Sequence, residues 1–199
     1  FWMKGVLATD LIEVSSDPDS LNDGGFWALS TTFEGKYLFA KFATVIRGAT
    51  FPETGEWNGL SEVWQSSMLQ PEFEDYVNNI REEIKLGNVY QVNACRILST
   101  KISKKISIAP LFSKILDKNP APFASFLRLP DIEIASASPE LFLTREGSYI
   151  KTSPIKGTRK LSETGAAFSD KDRAENVMIV ELMRNDFGRI CKAGSVKVS

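Results

Sequence analysis

Short connections between strand-like runs in the second half of the chain constrain its fold more than any other feature. Three such runs, at 123–129, 132–138 and 141–145, are separated by two residues each, and a Glu146-Gly147 turn leads into a fourth at 148–151. Connections this short reverse the chain and join antiparallel neighbours, whereas parallel strands need long crossovers. We therefore predict an antiparallel meander in this region.

Amphipathic segments predict three helices. A stripe of apolar residues marks the first helix, which should begin near Pro71 and end before Gly87: Phe73, Tyr76, Val77, Ile80 and Ile84. Proline suits the first helical turn, and glycine suits the position after the last one. A shorter helix is expected at 110–116 and a longer one at 172–190. Clustered antiparallel strands with separate helices predict the α+β fold class.

The N-terminal part of the chain is predicted to be rich in strands. Short strands are expected through the first 48 residues, including 26–30 and 37–42, which are joined by a Glu34-Gly35 turn. The stretch at 48–59 is rich in proline, glycine and threonine, so we interpret it as a connector.

Two further strands are predicted from alternation. Residues 89–99 alternate along their length, and this places Gln91 and Asn93 together on one face, which is unusual for a plain core strand. Residues 194–198 are expected to begin a new strand after the last helix.

Composition narrows the possible chemistry. The chain has 199 residues, 43% of them hydrophobic, and a formal net charge of -1, which suits a soluble globular unit and gives no electrostatic case for nucleic acid or an anionic membrane. Without a membrane-length apolar run or a signal segment, a cytoplasmic location is the default expectation. The absence of histidine excludes Ser-His-Asp and Cys-His catalysis within this chain. Acid–base chemistry must then fall to carboxylates, lysine, tyrosine or water.

Lys156, within the segment 154–158, is the candidate nucleophile. A free lysine is only about 0.4% neutral at pH 8, and burial or a nearby cation can increase the share of amine that attacks carbon. Gly157 and Thr158 leave backbone and hydroxyl donors beside the lysine for an anion. Taken alone, however, such a lysine is also typical of a solvated surface charge.

Carboxylates in two other segments are candidates for acid chemistry or for holding a cation. Glu140 follows Ser138-Pro139 at the start of a strand, and it is a candidate general acid if the fold buries it. Asp172 and Glu175 lie three residues apart on one face of the last helix. Acids there either stabilise the helix dipole alone or, if drawn inward, require a cation. The residues by themselves leave both interpretations open.

Five motifs, taken in order, resemble those of the chorismate-utilising enzymes, a family that includes anthranilate, aminodeoxychorismate and isochorismate synthases. The resemblance extends from about Pro71 to the C-terminus, and its motifs are Tyr90-Gln91-Val92-Asn93, Asn119-Pro120-Ala121-Pro122-Phe123, Ser136-Ala137-Ser138-Pro139-Glu140, Pro154-Ile155-Lys156-Gly157-Thr158 and Lys171-Asp172-Arg173-Ala174-Glu175-Asn176.

The resemblance implies a fold like that of anthranilate synthase component I, with antiparallel sheets flanked by helices. Family members continue beyond 194–196 with a segment that supplies a second metal carboxylate and a substrate arginine, so we expect this chain to be incomplete at its C-terminus. The implied division is an N-terminal strand-rich segment at 1–60 and the N-terminal part of the chorismate-binding catalytic domain at 61–199. An isolated piece of this length is expected to lack part of the pocket, and a non-catalytic fragment is one alternative.

Lys156 and Gln91 together resemble aminodeoxychorismate synthase component I, of the para-aminobenzoate and folate branch. Anthranilate synthases look like Pro-Ile-Ala-Gly-Thr at 154–158, and isochorismate synthases place a base lysine where this chain has Gln91. The implied activity converts chorismate and ammonia to 4-amino-4-deoxychorismate, a transferase reaction of the transaminase class. Anthranilate synthase component I is the alternative enzyme.

The resemblance also implies roles for individual residues. Lys156 would add covalently to chorismate, Glu140 would protonate the leaving hydroxyl, and Glu175 would be a ligand of Mg²⁺. Three residues would bind substrate: Gln91, Gly157 and Thr158. Ammonia would come from a separate glutamine amidotransferase (glutaminase) subunit, because nothing in the chain resembles a cysteine–histidine amidotransferase.

Overall fold

The computed structural model describes residues 1–60, 62–102, 105–157 and 169–198 of the chain. The strands are β1 Trp2–Met3, β2 Val6–Ser15, β3 Phe26–Thr31, β4 Tyr37–Arg47, β5 Gln65–Ser66, β6 Leu98–Ser99, β7 Phe123–Leu129, β8 Ile132–Ser138, β9 Leu141–Glu146 and β10 Tyr149–Ser153. The α-helices are α1 Gln70–Lys85, α2 Ala109–Lys118 and α3 Asp170–Ile190, and a 3-10 helix spans Pro18–Asp23. None of the helices described is long and apolar enough to cross a membrane.

The chain forms two compact units. One comprises Phe1–Gly55 with Ile108–Ser199, and the other comprises Glu56–Ser107. The two units are therefore interleaved in sequence, since the second is inserted between two parts of the first. The predicted domain division at residue 60 stays a prediction.

A six-stranded antiparallel sheet forms the first unit, with the strand order β3-β4-β2-β1-β7-β8. The short strand β1 pairs with β2 on one side and with β7 on the other, so Trp2 lies opposite both Leu7 and Phe126. Lys4 and Gly5 connect β1 to β2, and both have positive φ, of 48° and 78°. Positive φ at both central residues of a two-residue turn matches the twist of a β-hairpin, and glycine adopts it without strain.

An aromatic cluster packs α2 against this sheet. Phe112 of α2 is fully buried, and its ring centroid lies 4.8 Å from that of Phe51 and 5.5 Å from that of Phe126. The Trp2 ring packs edge-on against Phe112, while its indole N–H donates to the carbonyl of Ala49 at 2.9 Å. A second cluster, of buried alanine, leucine and phenylalanine side chains, spans β2, β3, β4 and β7, so both halves of the sheet share a core.

Charged side chains fix the start of α2 on the same strands. Arg128 of β7 donates to both carboxylate oxygens of Glu53 and to Glu133 of β8. The hydrogen bonds that Arg128 donates to Glu53 are the main cause that raises the pKa of the Arg128 guanidinium. Glu133 in turn accepts from the backbone N–H of Ile108, directly before α2, at 2.6 Å. A helix N-terminus leaves such N–H groups without intrahelical partners, so this carboxylate caps it.

The second unit holds α1 and the small β5–β6 pair. The predicted α1 stripe is present, but Phe73, Tyr76, Val77 and Ile80 are only half-buried and Ile84 is exposed. None of the residues described between 56 and 107 is buried. Side-chain burial within this unit therefore contributes little to holding α1 in place.

Several predictions are confirmed by these elements. The α+β class is confirmed, as are the helices that were expected from Pro71, at 110–116 and at 172–190. The runs at 123–129 and 132–138 are strands with the predicted bounds, and they pair with each other in the predicted antiparallel direction. The finer fold name and the incompleteness at the C-terminus stay predictions.

The predicted three-strand meander is wrong at its last step. β7 pairs with β8, but β9 pairs with β10 in a separate two-stranded sheet. Pro139 lies between β8 and β9 and has no N–H to donate to a ladder. The chain therefore leaves the large sheet at this proline.

Two other predicted strands are also wrong. Of 89–99, only Leu98 and Ser99 form a strand, paired with Gln65–Ser66, and 194–198 contains no strand. A strand depends on a partner for its backbone hydrogen bonds, and alternation in sequence does not supply one. In the part of the chain that the structure describes, these segments have no long strand beside them.

Replacing Phe112 by alanine should strongly destabilise the first unit. Emptying a fully buried phenylalanine site costs about 3–5 kcal/mol of unfolding free energy. Urea unfolding, followed by tryptophan fluorescence, measures this loss. Phe33→Ala is the matched control, because the Phe33 side chain is fully exposed and its loss should change the unfolding free energy by less than about 0.5 kcal/mol. Equal losses in the two variants would contradict the packing described for Phe112.

Candidate active site

The β9–β10 hairpin brings the motifs at 138–140 and 154–158 together. Glu140 directly precedes β9, and Pro154 directly follows β10. The strands run antiparallel, with Leu141 paired to Ser153, so the residues just outside this end of the hairpin are neighbours. Two motifs that are distant in sequence thereby become adjacent in space.

The Glu140 carboxylate is bonded to the backbone beside Lys156. The N–H of Ile155 donates to Glu140 Oε1 at 3.1 Å. The Ser138 hydroxyl donates to the backbone carbonyl of Glu140 at 3.2 Å and holds the bend around Pro139. Glu140 and Lys156 are both half-buried. The candidate acid therefore lies against the segment that carries the candidate nucleophile, and their chemical roles stay predictions.

Gly157 lies against the carboxylate of Asp172, in the first turn of α3. A Cβ on Gly157 would lie 3.1 Å from Asp172 Cγ and 3.4 Å from each carboxylate oxygen. Gly157 also has a φ of 81°, which side chains with a Cβ rarely adopt. Glycine is required here both for its backbone conformation and for the close approach of this carboxylate.

The N-terminus of α3 holds Asp172 in a defined position. The N–H of Asp172 donates to the Ser169 hydroxyl at 3.0 Å, and that hydroxyl donates to Asp172 Oδ2 at 2.7 Å. Ser169 is the N-cap residue of the helix, so these bonds also satisfy a free helical N–H. Glu175 lies three residues further along, on the same helix face as Asp172, and it is half-buried.

Comparison with known proteins assigns these motifs to a family. The profile described as chorismate binding enzyme matches residues 30–199. The chain belongs to this family. The predicted resemblance is thereby confirmed, and the match begins well before Pro71, where the recognisable motifs were expected to start.

Curated relatives of this chain carry two different names. The chain is 41% identical over 148 residues to "Aminodeoxychorismate synthase component 1" of Salmonella typhimurium, covering 70% of this chain and 32% of that protein. It is 40% identical to the protein of the same name from Escherichia coli, again covering 70% of this chain and 32% of that protein. It is also 36% identical to "Anthranilate synthase component 1 1" of Haloarcula marismortui, covering 68% of this chain and 29% of that protein. The chain thus spans about a third of the length of the curated relatives it matches.

Glu175 is the candidate metal ligand, and among the described residues it belongs to no cluster that could hold a metal ion. Within the residues described, no group of three or more acidic or cysteine side chains is arranged to hold a metal ion. Mg²⁺ is commonly held by one or two carboxylates together with water and a substrate oxygen. Glu175 fits one ligand of such a site and no more, so its assignment to Mg²⁺ stays a prediction.

Two predicted substrate-binding residues are not tested by the geometry. Gln91 is half-buried in the unit that spans Glu56–Ser107, within a stretch that was wrongly predicted as a strand. Thr158 lies outside the described residues. Gly157, the third predicted substrate-binding residue, follows Lys156 directly and lies against Asp172.

Sequence reasoning missed the contact between Asp172 and Gly157. It treated Asp172 as one of two acids on a helix face, with dipole stabilisation as its simplest role. A signal was available, because Ser169 followed by an acid three residues later is typical of a capped helix start. That pattern predicts the hydrogen bonds with Ser169, but it does not reveal which segment packs against the cap.

Replacing Glu140 by alanine should speed hydrogen exchange at the Ile155 amide about tenfold. The amide would lose its hydrogen bond to the Glu140 side chain, and ~1.4 kcal/mol, which corresponds to tenfold, lies within the usual contribution of such a bond. Hydrogen exchange read by NMR or mass spectrometry measures this directly, without any assay of activity.

Glu140→Gln and Glu146→Ala serve as controls for this measurement. The glutamine keeps an acceptor oxygen and should retain most of the protection. Glu146 is exposed at the far end of β9, so its replacement should leave the Ile155 amide unaffected. Unchanged exchange in Glu140→Ala would show that this hydrogen bond does not hold the turn.

Proposed function

We propose that this chain is part of an aminodeoxychorismate synthase component I, which converts chorismate and ammonia to 4-amino-4-deoxychorismate for the synthesis of para-aminobenzoate and folate. The observation that carries the proposal is the position of Lys156. It lies between Ile155, whose N–H is bonded to Glu140, and Gly157, which lies against Asp172. The relatives named aminodeoxychorismate synthase component 1 support the same function.

A lysine nucleophile accounts for the chemistry in two displacements. In the first, the neutral amine of Lys156 attacks C2 of chorismate, the two conjugated ring double bonds both shift, and the C4–O bond breaks. Glu140 supplies the proton with which the hydroxyl leaves as water, and the proton that the new amine loses restores Glu140. The product of this step is a lysine adduct that has lost the C4 hydroxyl.

Ammonia completes the reaction in the second displacement. It attacks C4, both ring double bonds shift back, and the bond between C2 and Lys156 breaks. The proton that the new C4 ammonium loses goes to the departing amine, which returns the free lysine. Overall, chorismate and ammonia give 4-amino-4-deoxychorismate and water. Covalent catalysis divides one difficult substitution into two steps that each displace a positioned group.

The proposal includes one metal and one partner. Glu175 would hold Mg²⁺ together with a substrate carboxylate, and the bound ion would supply positive charge beside the substrate. Gly157, Thr158 and Gln91 would bind chorismate. Ammonia would come from a glutamine amidotransferase subunit, as the words "component 1" in the relatives' names suggest. The protein would act in the cytoplasm.

Anthranilate synthase component I is the second candidate function. It is supported by relatives of that name, such as the one from Haloarcula marismortui. The resemblance at 154–158 disfavours it, since anthranilate synthases look like alanine where this chain has Lys156. A chain that retains the family fold without turnover is the remaining alternative. Product analysis separates the three, because anthranilate formation releases pyruvate and the aminodeoxychorismate reaction does not.

Lys156→Ala should reduce 4-amino-4-deoxychorismate formation about 100-fold or more, which corresponds to ~2.7 kcal/mol of lost transition-state stabilisation. The longest available form of the protein would be incubated with chorismate, ammonium and Mg²⁺, and the products resolved by mass spectrometry. Lys151→Ala, an exposed lysine on β10, is the matched control and should keep full output. Undiminished 4-amino-4-deoxychorismate formation by Lys156→Ala would contradict the covalent role of Lys156. Formation of anthranilate and pyruvate by the unmodified protein would favour the second candidate.

A further inference from the structure

We propose that Asp172 is a positioning residue that holds the Lys156-Gly157 turn against the first turn of α3 and so sets where the Lys156 amine lies. The inference rests on the proposed function in one respect, since it assumes that the reaction uses Lys156. The contact itself is independent of that function.

The contact between Asp172 and Gly157 is close. The Asp172 carboxylate occupies the space beside the Gly157 Cα, so that a side chain at Gly157 would meet Asp172 Cγ at 3.1 Å. Real Cβ atoms rarely approach other atoms so closely, and the backbone of the turn lies this near the helix only because the residue is glycine. A carboxylate in this position limits how far the turn can move toward α3.

Asp172 is itself held. Its backbone N–H and its Oδ2 both bond to the Ser169 hydroxyl, at 3.0 and 2.7 Å. The backbone and the carboxylate of Asp172 are therefore both tied to Ser169. The side chain has little rotamer freedom left to lose when it contacts the turn. Asp172 can therefore transmit the position of α3 to the residue that follows Lys156.

The turn is held on the other side as well. Glu140 accepts from the N–H of Ile155, the residue that precedes Lys156. The backbone of Lys156 thus lies between two contacts that come from different elements, the start of β9 and the start of α3. A lysine side chain is long and flexible, so the position of its backbone decides what the amine can reach. In enzymes, a displacement of about 1 Å at a reacting group can cost about 100-fold in rate.

The experiment compares Asp172→Ala with Asp172→Asn in the protein used for the chorismate assay. We expect Asp172→Ala to reduce kcat about 10- to 100-fold, while KM for chorismate changes less than about threefold, because the amine is misplaced for the reaction and binding is retained. Asp172→Asn preserves the shape of the side chain and an acceptor for the Ser169 hydroxyl, so it should stay within about threefold of the unmodified kcat. Asp170→Ala, an exposed acid in the same helical turn, is the control for loss of charge near the helix dipole.

A second readout does not depend on activity. An amine-reactive reagent, acetic anhydride, would be applied to each variant, and the labelling rates of Lys156 and Lys151 compared by peptide mass spectrometry. Asp172→Ala should change the Lys156 rate at least about threefold relative to Lys151, whereas Asp170→Ala should leave the ratio unchanged. This measurement can be made on the 199-residue chain itself.

The outcomes are distinguishable. An unchanged kcat and labelling ratio in Asp172→Ala would overturn the positioning role, and so would equal losses in Asp172→Ala and Asp170→Ala. A loss of equal size in Asp172→Asn would also overturn it, since the effect would then belong to the negative charge. If Lys156→Ala kept full activity, the proposed function would fail, while the labelling ratio would still decide whether Asp172 positions the turn.

Discussion

The two-residue strand β1 is the connection on which the six-stranded sheet depends. Trp2 and Met3 pair with β2 on one side and with β7 on the other, so they join a group of strands that ends at Arg47 to a group that begins at Phe123. So few backbone hydrogen bonds would be a weak link by themselves. The Trp2 side chain reinforces it, because its ring packs on Phe112 and its N–H bonds to Ala49. The positions of β7 and β8 therefore depend on the packing of the Trp2 ring as well as on the backbone hydrogen bonds between β1 and β7.

The residues of the candidate site lie at the ends of strands and at the start of a helix. The chain leaves the large sheet at Pro139, forms the separate β9–β10 hairpin, and returns beside its own exit point. The carboxylate of Glu140 accepts from the N–H of Ile155, a donor that no strand uses among the described residues. The sequence predicted this hairpin through its Glu146-Gly147 turn, and the pairing of β9 with β10 is what brings the two motifs into contact.

Much of the fold was predictable because it follows from local rules. The bounds of β7 and β8 follow from alternation and tight turns, and those of α1 follow from Pro71, Gly87 and an apolar stripe. The failures at 89–99 and 194–198 have a different cause, since a strand exists only where a partner is available. For the site, motif order identified the family and its candidate residues. The contact of Asp172 with Gly157 could not be predicted from patterns within a single element. It depends on a positive φ at Gly157 and on how the turn packs against the start of α3.

Family membership follows from similarity along most of the chain, whereas the identity of the reaction depends on a few side chains. The overall likeness to relatives of two different names shows that most of the chain serves a shared scaffold. Which reaction follows must then depend on a few side chains, and the residue at position 156 is the clearest of them. Under the proposed function, alanine at this position would remove the nucleophile, and the Lys156 amine could attack the substrate only if it were correctly placed. The contacts at Ile155 and Gly157 matter for this reason: they constrain the backbone on both sides of the one residue at which a shared scaffold would acquire covalent chemistry.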